Sequence, residues 1–186
     1  MGTLNAYNFL TLNGFFRGTE EDISWHAHGG EEEQYSVESL QGGGILLFGR
    51  KTYDMMASFW PTPVAAQQFP DVAAGMNRAE KIVFSRKPFT PEWKNARVIS
   101  GDIVKEVAGL KAQSGKNMTI LGSGTIISLF AEHGLIDEYQ FMIDPVAIPD
   151  GTPVFAGITK KIELELTDSK VFKSGVVLLS YRPVRR

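Results

Sequence analysis

The chain predicts an α/β fold around a mixed, mostly parallel sheet of about eight strands that ends in antiparallel strands. Two observations carry this. Short β-rich runs alternate with helical patterns as far as Gly134, the order that builds parallel sheets. Three strand-like runs then follow with no helix between them, which calls for hairpins. At 186 residues the chain has the length of one domain, expected to span 1–186.

The strands are read at Leu4–Leu10, Ile45–Gly49, Lys81–Ser85, Arg97–Ser100, Met118–Leu121, Glu138–Asp144, Ile162–Thr167 and Val176–Tyr181. Ile45–Phe48 is a continuous apolar run, which suits a strand covered on both faces. Val176–Leu179 is another, which suggests burial on both faces or equally core within the chain. Asn13-Gly14 is a turn signal closing the first strand. Helices are read at Glu31–Gln41, Lys51–Ser58, Val64–Arg78 (broken up by Pro70), Asp102–Gln113 and Thr125–His133. Asp102 is placed to cap its helix, and Gly134 to end the last one.

Composition excludes several chemistries. There is no cysteine, so no disulfide framework, thiolate metal site, iron–sulfur cluster or cysteine nucleophile is available. A net charge of −2 with no basic stripe argues against a nucleic-acid binder. No apolar run approaches the ~20 residues of a membrane helix, and no basic residue precedes Arg17, so the expected location is the cytoplasm. His26 and His28, with Glu31, Glu32 and Glu33, are ligand types for a metal. Acidic residues are also favoured in a helix's first turn, and no metal is expected.

Ligands of open α/β sheets bind at the carboxyl ends of strands. Three strand-to-helix junctions carry the chemistry there. In Leu46-Leu47-Phe48-Gly49-Arg50-Lys51-Thr52 a strand runs into glycine, two cations and a hydroxyl. A helix start with free N–H groups attracts anions, and arginine grips phosphate with two parallel bonds. The bland reading is a basic surface turn with Thr52 as a cap. Ile82-Val83-Phe84-Ser85-Arg86-Lys87 repeats the pattern, suiting a second phosphate such as a ribose 2′-phosphate, or a solvated loop. In Leu121-Gly122-Ser123-Gly124-Thr125 the glycines let backbone approach a phosphate, or simply make a tight turn. Ile127 stands where a dinucleotide fingerprint needs its third glycine, so an ordinary Rossmann fold is disfavoured. Together the three ends suit a nucleotide carrying a diphosphate.

These junctions, in this order, resemble the dihydrofolate reductase-like fold, and more closely the reductase domain of the riboflavin-biosynthesis deaminase–reductase and its stand-alone relatives. Thr11-Leu12-Asn13-Gly14-Phe15-Phe16 resembles the family's Ser-Leu-Asp-Gly stretch, Gly49-Arg50-Lys51-Thr52 its Gly-Arg-x-Thr, and Lys81–Arg86 its strand ending in Ser-Arg. Glu92–Ala96, Leu121–Gly124, Gly134–Tyr139 and Pro145–Phe155 extend the likeness over nearly the whole chain.

The resemblance implies a three-layer α-β-α architecture, NADPH as cofactor, hydride transfer, and a homodimer. Arg50, Lys51 and Thr52, after Gly49, would hold phosphates. Ser85 and Arg86 would face the adenosine and its 2′-phosphate, and Gly122, Ser123, Gly124 and Thr125 would cradle the pyrophosphate. Phe9, Leu12, Phe16 and Leu121 would lie near the nicotinamide, and Asn13, Trp25, Met55 and Met56 would face the substrate. The implied activity is reduction of a small pteridine- or pyrimidine-like heterocycle or a carbonyl. Asn13 stands where the family has Asp and cannot supply a proton by titration. This leaves a second reading, a nucleotide- or pteridine-binding module without turnover. Folate reduction uses a buried acid on the first helix, whereas Asp22 and Glu31–Glu33 are expected to be exposed, which disfavours a true dihydrofolate reductase. The deaminase half of the riboflavin enzyme is absent.

Overall fold

The computed structural model describes residues 1–26, 29–113 and 115–184. In chain order the elements are β1 (Leu4–Thr11), β2 (Phe15–Arg17), α1 (Gly30–Gln41), β3 (Ile45–Gly49), α2 (Arg50–Phe59), α3 (Pro63–Gln68), α4 (Pro70–Arg78), β4 (Glu80–Phe84), β5 (Ala96–Ile99), α5 (Ile103–Gln113), β6 (Met118–Leu121), α6 (Gly124–Glu132), β7 (Glu138–Asp144), β8 (Thr152–Pro153), β9 (Leu164–Val171) and β10 (Val177–Pro183). Eight strands follow the order β5-β4-β3-β6-β1-β7-β10-β9, and β2 pairs with β8 in a separate ribbon. The mixed, mostly parallel sheet ending in antiparallel strands is the expected fold class. The β2–β8 ribbon was not expected, because runs of three and two residues carry no periodicity.

The chain divides into two compact units: Met1–Gly2 with Gly29–Thr119, and Thr3–His28 with Ile120–Arg186. In the first unit, β3 pairs in parallel with β4, and β4 with β5. Four residues of β3 and four of β4 are buried, as continuous apolar runs require. The exception to apolarity is Lys81 on β4, which is fully buried. Its ammonium donates to the carbonyls of Ala79 (2.7 Å), Lys94 (3.0 Å) and Asn77 (3.4 Å), and lies 4.4 Å from the centre of the Trp93 ring. Burial pulls its pKa down to about 8.

Pro70 does not merely break a helix; it starts one. Proline suits the first helical turn, where its missing N–H has no acceptor to lose. The expected Val64–Arg78 segment is therefore two helices, α3 and α4, and Thr62 caps α3 by accepting from the Ala65 N–H at 3.2 Å. Gly75 lets α4 come close to α1, since a Cβ there would stand 3.0 Å from the Leu40 side chain. Asp102 caps α5 as expected, accepting from the Lys105 N–H at 3.1 Å.

In the second unit β1 pairs in parallel with β7, and β10 pairs antiparallel with both β7 and β9. Gly134 ends α6 with φ +64°, while the Leu135 N–H reaches back to the Phe130 carbonyl. Val176–Leu179 is not covered on both faces. Val176 and Leu178 are buried while Val177 and Leu179 are half-buried, the alternation of a strand with one core face. The strand read at Ile162–Thr167 runs instead from Leu164 to Val171, almost entirely exposed, so its sequence held little burial pattern to read.

Candidate functional site

In the first unit two of the three junctions fall together. Parallel β3 and β4 pair with Gly49 opposite Phe84, so Arg50–Thr52 and Ser85–Arg86 leave the same sheet edge at the same level. Gly49, not Thr52, is the N-cap of α2, and no side chain caps that helix start. The reading of Thr52 as a cap is therefore wrong: it is half-buried inside the first turn. Arg50 is exposed; its Nε donates to both carboxylate oxygens of Asp54 at 2.8 Å, and its guanidinium carbon lies 3.5 Å from the centre of the Phe89 ring. The Ser85 hydroxyl donates to the Lys87 carbonyl at 2.6 Å, tightening its turn. Arg86 is exposed and has no ion-pair partner among the described residues.

Along α2 in this unit runs a cleft of about 760 Å³, walled by Tyr53, Phe89 and Trp93 and rimmed by Arg50, Thr90 and Lys94. The loop beside it is pinned. The Trp93 N–H donates to the Tyr53 hydroxyl (3.1 Å), and the Trp93 indole donates to Asn77 (2.7 Å). Of the two expected substrate-facing methionines, Met55 is exposed, while the Met56 sulfur accepts from the Trp60 indole at 3.1 Å.

The second unit holds the third junction. Gly122 and Ser123 are both left-handed, with φ +60° and +56°. The Gly122 N–H donates to the Tyr7 carbonyl of β1 at 3.0 Å, anchoring the turn. Glycine suits the first of these positions; the second charges a serine roughly 1 kcal/mol or more of backbone strain. Gly124 opens α6, whose start has no side-chain cap. A Cβ on Gly124 would stand 2.3 Å from the Phe16 ring, so that contact requires glycine. Leu12 is 70% exposed, and Leu121 is half-buried.

Asn13 does not present its side chain freely. Its Oδ1 accepts from the Thr11 hydroxyl (2.8 Å) and the Ile148 N–H (3.3 Å), and its Nδ2 donates to the Ile148 carbonyl (2.8 Å). Trp25 is half-buried, with its indole N–H on the Asp22 carbonyl at 3.2 Å. Phe9 stacks on His26, with ring centres 3.7 Å apart and planes 21° apart. The His26 Nδ1 lies 2.9 and 3.1 Å from the two oxygens of Asp144, and both side chains are 3% exposed. The contact to both carboxylate oxygens, with the Phe9 stack, holds the imidazole ring in one orientation. The metal reading of His26 and His28 cannot be followed further, because His28 lies outside the described residues; among those described no three ligating side chains gather.

Three features escaped the sequence reading. His26 and Asp144 are 118 positions apart, and nothing local joins them. Lys81 carried a signal: a cation inside a run expected to be buried needs acceptors. The third is Glu32. The acids of α1 are not all exposed, for Glu32 is 7% exposed where the three-glutamate run suggested a solvated turn. Asp22 is exposed as expected, and its carboxyl is held below the usual range by the Ser24 backbone N–H and then its hydroxyl. The first helix thus carries a buried acid after all.

The chain is 28% identical over 172 residues to YyaP, an uncharacterized protein of Bacillus subtilis (strain 168), covering 92% of this chain and 90% of that one. Among solved structures it resembles a Shewanella sp. PV-4 protein whose name assigns it provisionally to riboflavin biosynthesis, with TM-score 0.77, 20% identity, and 98% and 99% of the two chains covered. It also resembles dihydrofolate reductase from Enterococcus faecalis, solved with NADP(H), with TM-score 0.68, 16% identity, and 98% and 96% covered. At these identities the two structures establish a shared dihydrofolate reductase-like fold. The model of the RibD C-terminal domain matches residues 3–178, and the chain belongs to that family.

Proposed function

We propose that the chain binds NADPH and reduces a small pyrimidine- or pteridine-like heterocycle or a carbonyl compound. The observation that carries this is the pairing of Gly49 with Phe84, which brings the cations of Arg50–Lys51 and of Arg86 to one edge within the first unit. Family membership and the fold shared with an NADP(H)-bound reductase support it.

The residues suit such a cofactor. In the first unit Arg50, Lys51 and Thr52 would hold phosphates at an uncapped helix start, with Ser85 and Arg86 toward the 2′-phosphate. In the second unit Gly124 and Thr125 would offer backbone amides at another uncapped start, with Gly122 and Ser123 shaping the turn, and Gly124 already forgoes a Cβ to receive Phe16. Phe9, Phe16 and Leu121 would supply apolar surface near the ring, and Leu12, now exposed, would join them on binding. The bound cofactor would supply the hydride. The product also takes up a proton, and Glu32, the buried acid of α1, is the side chain we propose to test for that task.

Titration of NADPH fluorescence tests the cofactor: saturable binding is expected, and none at millimolar concentration contradicts the proposal. With a substrate found by panel, Glu32→Gln should cut turnover by about 10²-fold, the usual scale of general acid catalysis, with NADPH affinity unchanged. An equal loss of affinity would assign Glu32 to folding instead.

One observation favours the second reading, a module that binds without turnover. Asn13, where the family has an acid, spends both its amide groups on the loop around Ile148. Tight NADPH binding with no oxidation across the panel would select it. For assembly we propose a homodimer: β9 ends the strand order, exposing Leu166 and Val171. Sedimentation at two concentrations checks this. Among the described residues no helix is long and apolar enough to cross a membrane, and a cytoplasmic location remains part of the proposal.

A further inference from the structure

We propose that Phe89 is a positioning residue: its ring seats the Arg50 guanidinium so that the free edge of that group is preset to grip a phosphate of the cofactor. The inference rests on the NADPH reading and names a part that neither the strand-end pattern nor the family match points to.

An arginine on a surface turn has rotamer entropy to lose when it grips an anion. Arg50 has already lost much of its freedom. Its guanidinium carbon sits 3.5 Å from the centre of the Phe89 ring. Its Nε is tied to Asp54 one helical turn on, with both oxygens at 2.8 Å. Both contacts leave the two terminal nitrogens without a bond among the described residues. Those two nitrogens form the edge that takes two phosphate oxygens side by side.

The seat is itself fixed. Phe89 packs against Tyr53, with ring centres 5.6 Å apart, and Tyr53 is buried with its hydroxyl bonded to the Trp93 N–H. The ion pair to Asp54 cannot do this alone. Its side chains are 43% and 51% exposed, and exposed pairs of this spacing are weak and salt-screened. The stack against an aromatic face adds an attraction of comparable size, and it constrains the plane of the group rather than only its distance. Phe89 also belongs to the segment that follows Ser85 and Arg86, so it ties the second cationic turn of this unit to the first.

The test is a double-mutant cycle on the whole chain, reading NADPH dissociation constants by fluorescence. Phe89→Leu keeps apolar bulk and loses the aromatic face; it should weaken NADPH about 3-fold, the scale of one exposed cation–π contact. Phe89→Tyr keeps the face and should restore wild-type affinity. In the Arg50→Ala background Phe89→Leu should change nothing further. An unchanged constant for Phe89→Leu, or the same loss with and without Arg50, overturns the inference while leaving the cofactor assignment standing. Wild-type protein that binds no NADPH overturns both, so the two failures are distinguishable.

Discussion

The two units place their polar groups in opposite ways. In the first, the chemistry sits on side chains: Arg50, Lys51 and Arg86 at strand ends, and Lys81 beneath them in the core. In the second, it sits largely in the backbone: left-handed Gly122 and Ser123 lead into an uncapped helix, and the side chains of His26 and Asp144 are buried against one another. The lesson concerns how each can fail. Groups on side chains are lost one at a time, at a modest cost each, and are screened by salt. Groups made by backbone shape tolerate salt but break abruptly when the shape is denied.

The largest expected effect therefore falls on the second unit. Gly124→Ala drives a methyl group to 2.3 Å from the Phe16 ring, a contact that something must move to relieve. Overpacking of this kind costs typically 1–3 kcal/mol, or about 5 °C in Tm for a chain of this size. NADPH binding should fall with it, by tenfold or more. Adding Phe16→Ala should return most of the Tm. A single variant as stable as wild type would mean that Gly124 is not held against Phe16.

Next in size is a side-chain effect in the first unit. Arg86→Ala should lower the preference for NADPH over NADH by about tenfold, since a charge-assisted bond to phosphate is worth ~1.5–3 kcal/mol. An unchanged ratio would move the 2′-phosphate to another residue. High salt should shrink the wild-type preference as well, whereas the penalty of Gly124→Ala should be insensitive to salt.

A third effect is a slope with pH. The buried Lys81 ammonium has its pKa lowered to about 8, against about 10.4 in an unfolded chain. Between those values the unfolded state binds more protons than the folded one, so stability rises with pH from about 8 to about 10. Lys81→Met should flatten that slope as well as lowering stability, because three carbonyls lose their donor. A slope that survives in the variant would assign it to other groups.

Much of this was legible in the amino-acid order, for identifiable reasons. Ile45–Gly49 is a strand at the expected residues because a buried parallel strand must be apolar, and Met118–Leu121 also lies where it was read, with Met118 and Ile120 buried. The two cationic turns are legible because each buried apolar strand ends abruptly in polar residues, Gly49-Arg50-Lys51 and Ser85-Arg86-Lys87. What escaped is non-local or cooperative. The burial of Glu32 depends on how α1 packs, not on its neighbours Glu31 and Glu33. The partner of His26 lies on β7, and only the β1–β7 register, with Thr11 opposite Asp144, brings that strand end into place. Strand β9, nearly all exposed, has no burial pattern, so its limits were misplaced. The sequence also could not show that Arg50 would rest on Phe89, since the chain between them must fold first.

The most direct measurement is calorimetric titration of NADPH into wild-type protein and into the Arg50→Ala/Arg86→Ala double variant. Strand-end cations that capture the coenzyme predict a saturable isotherm for the wild type and a loss of at least about 100-fold in the double variant, the sum of two charge-assisted bonds at the low end of their range. No saturation for the wild type at millimolar NADPH, or equal affinity in the two proteins, would contradict the account.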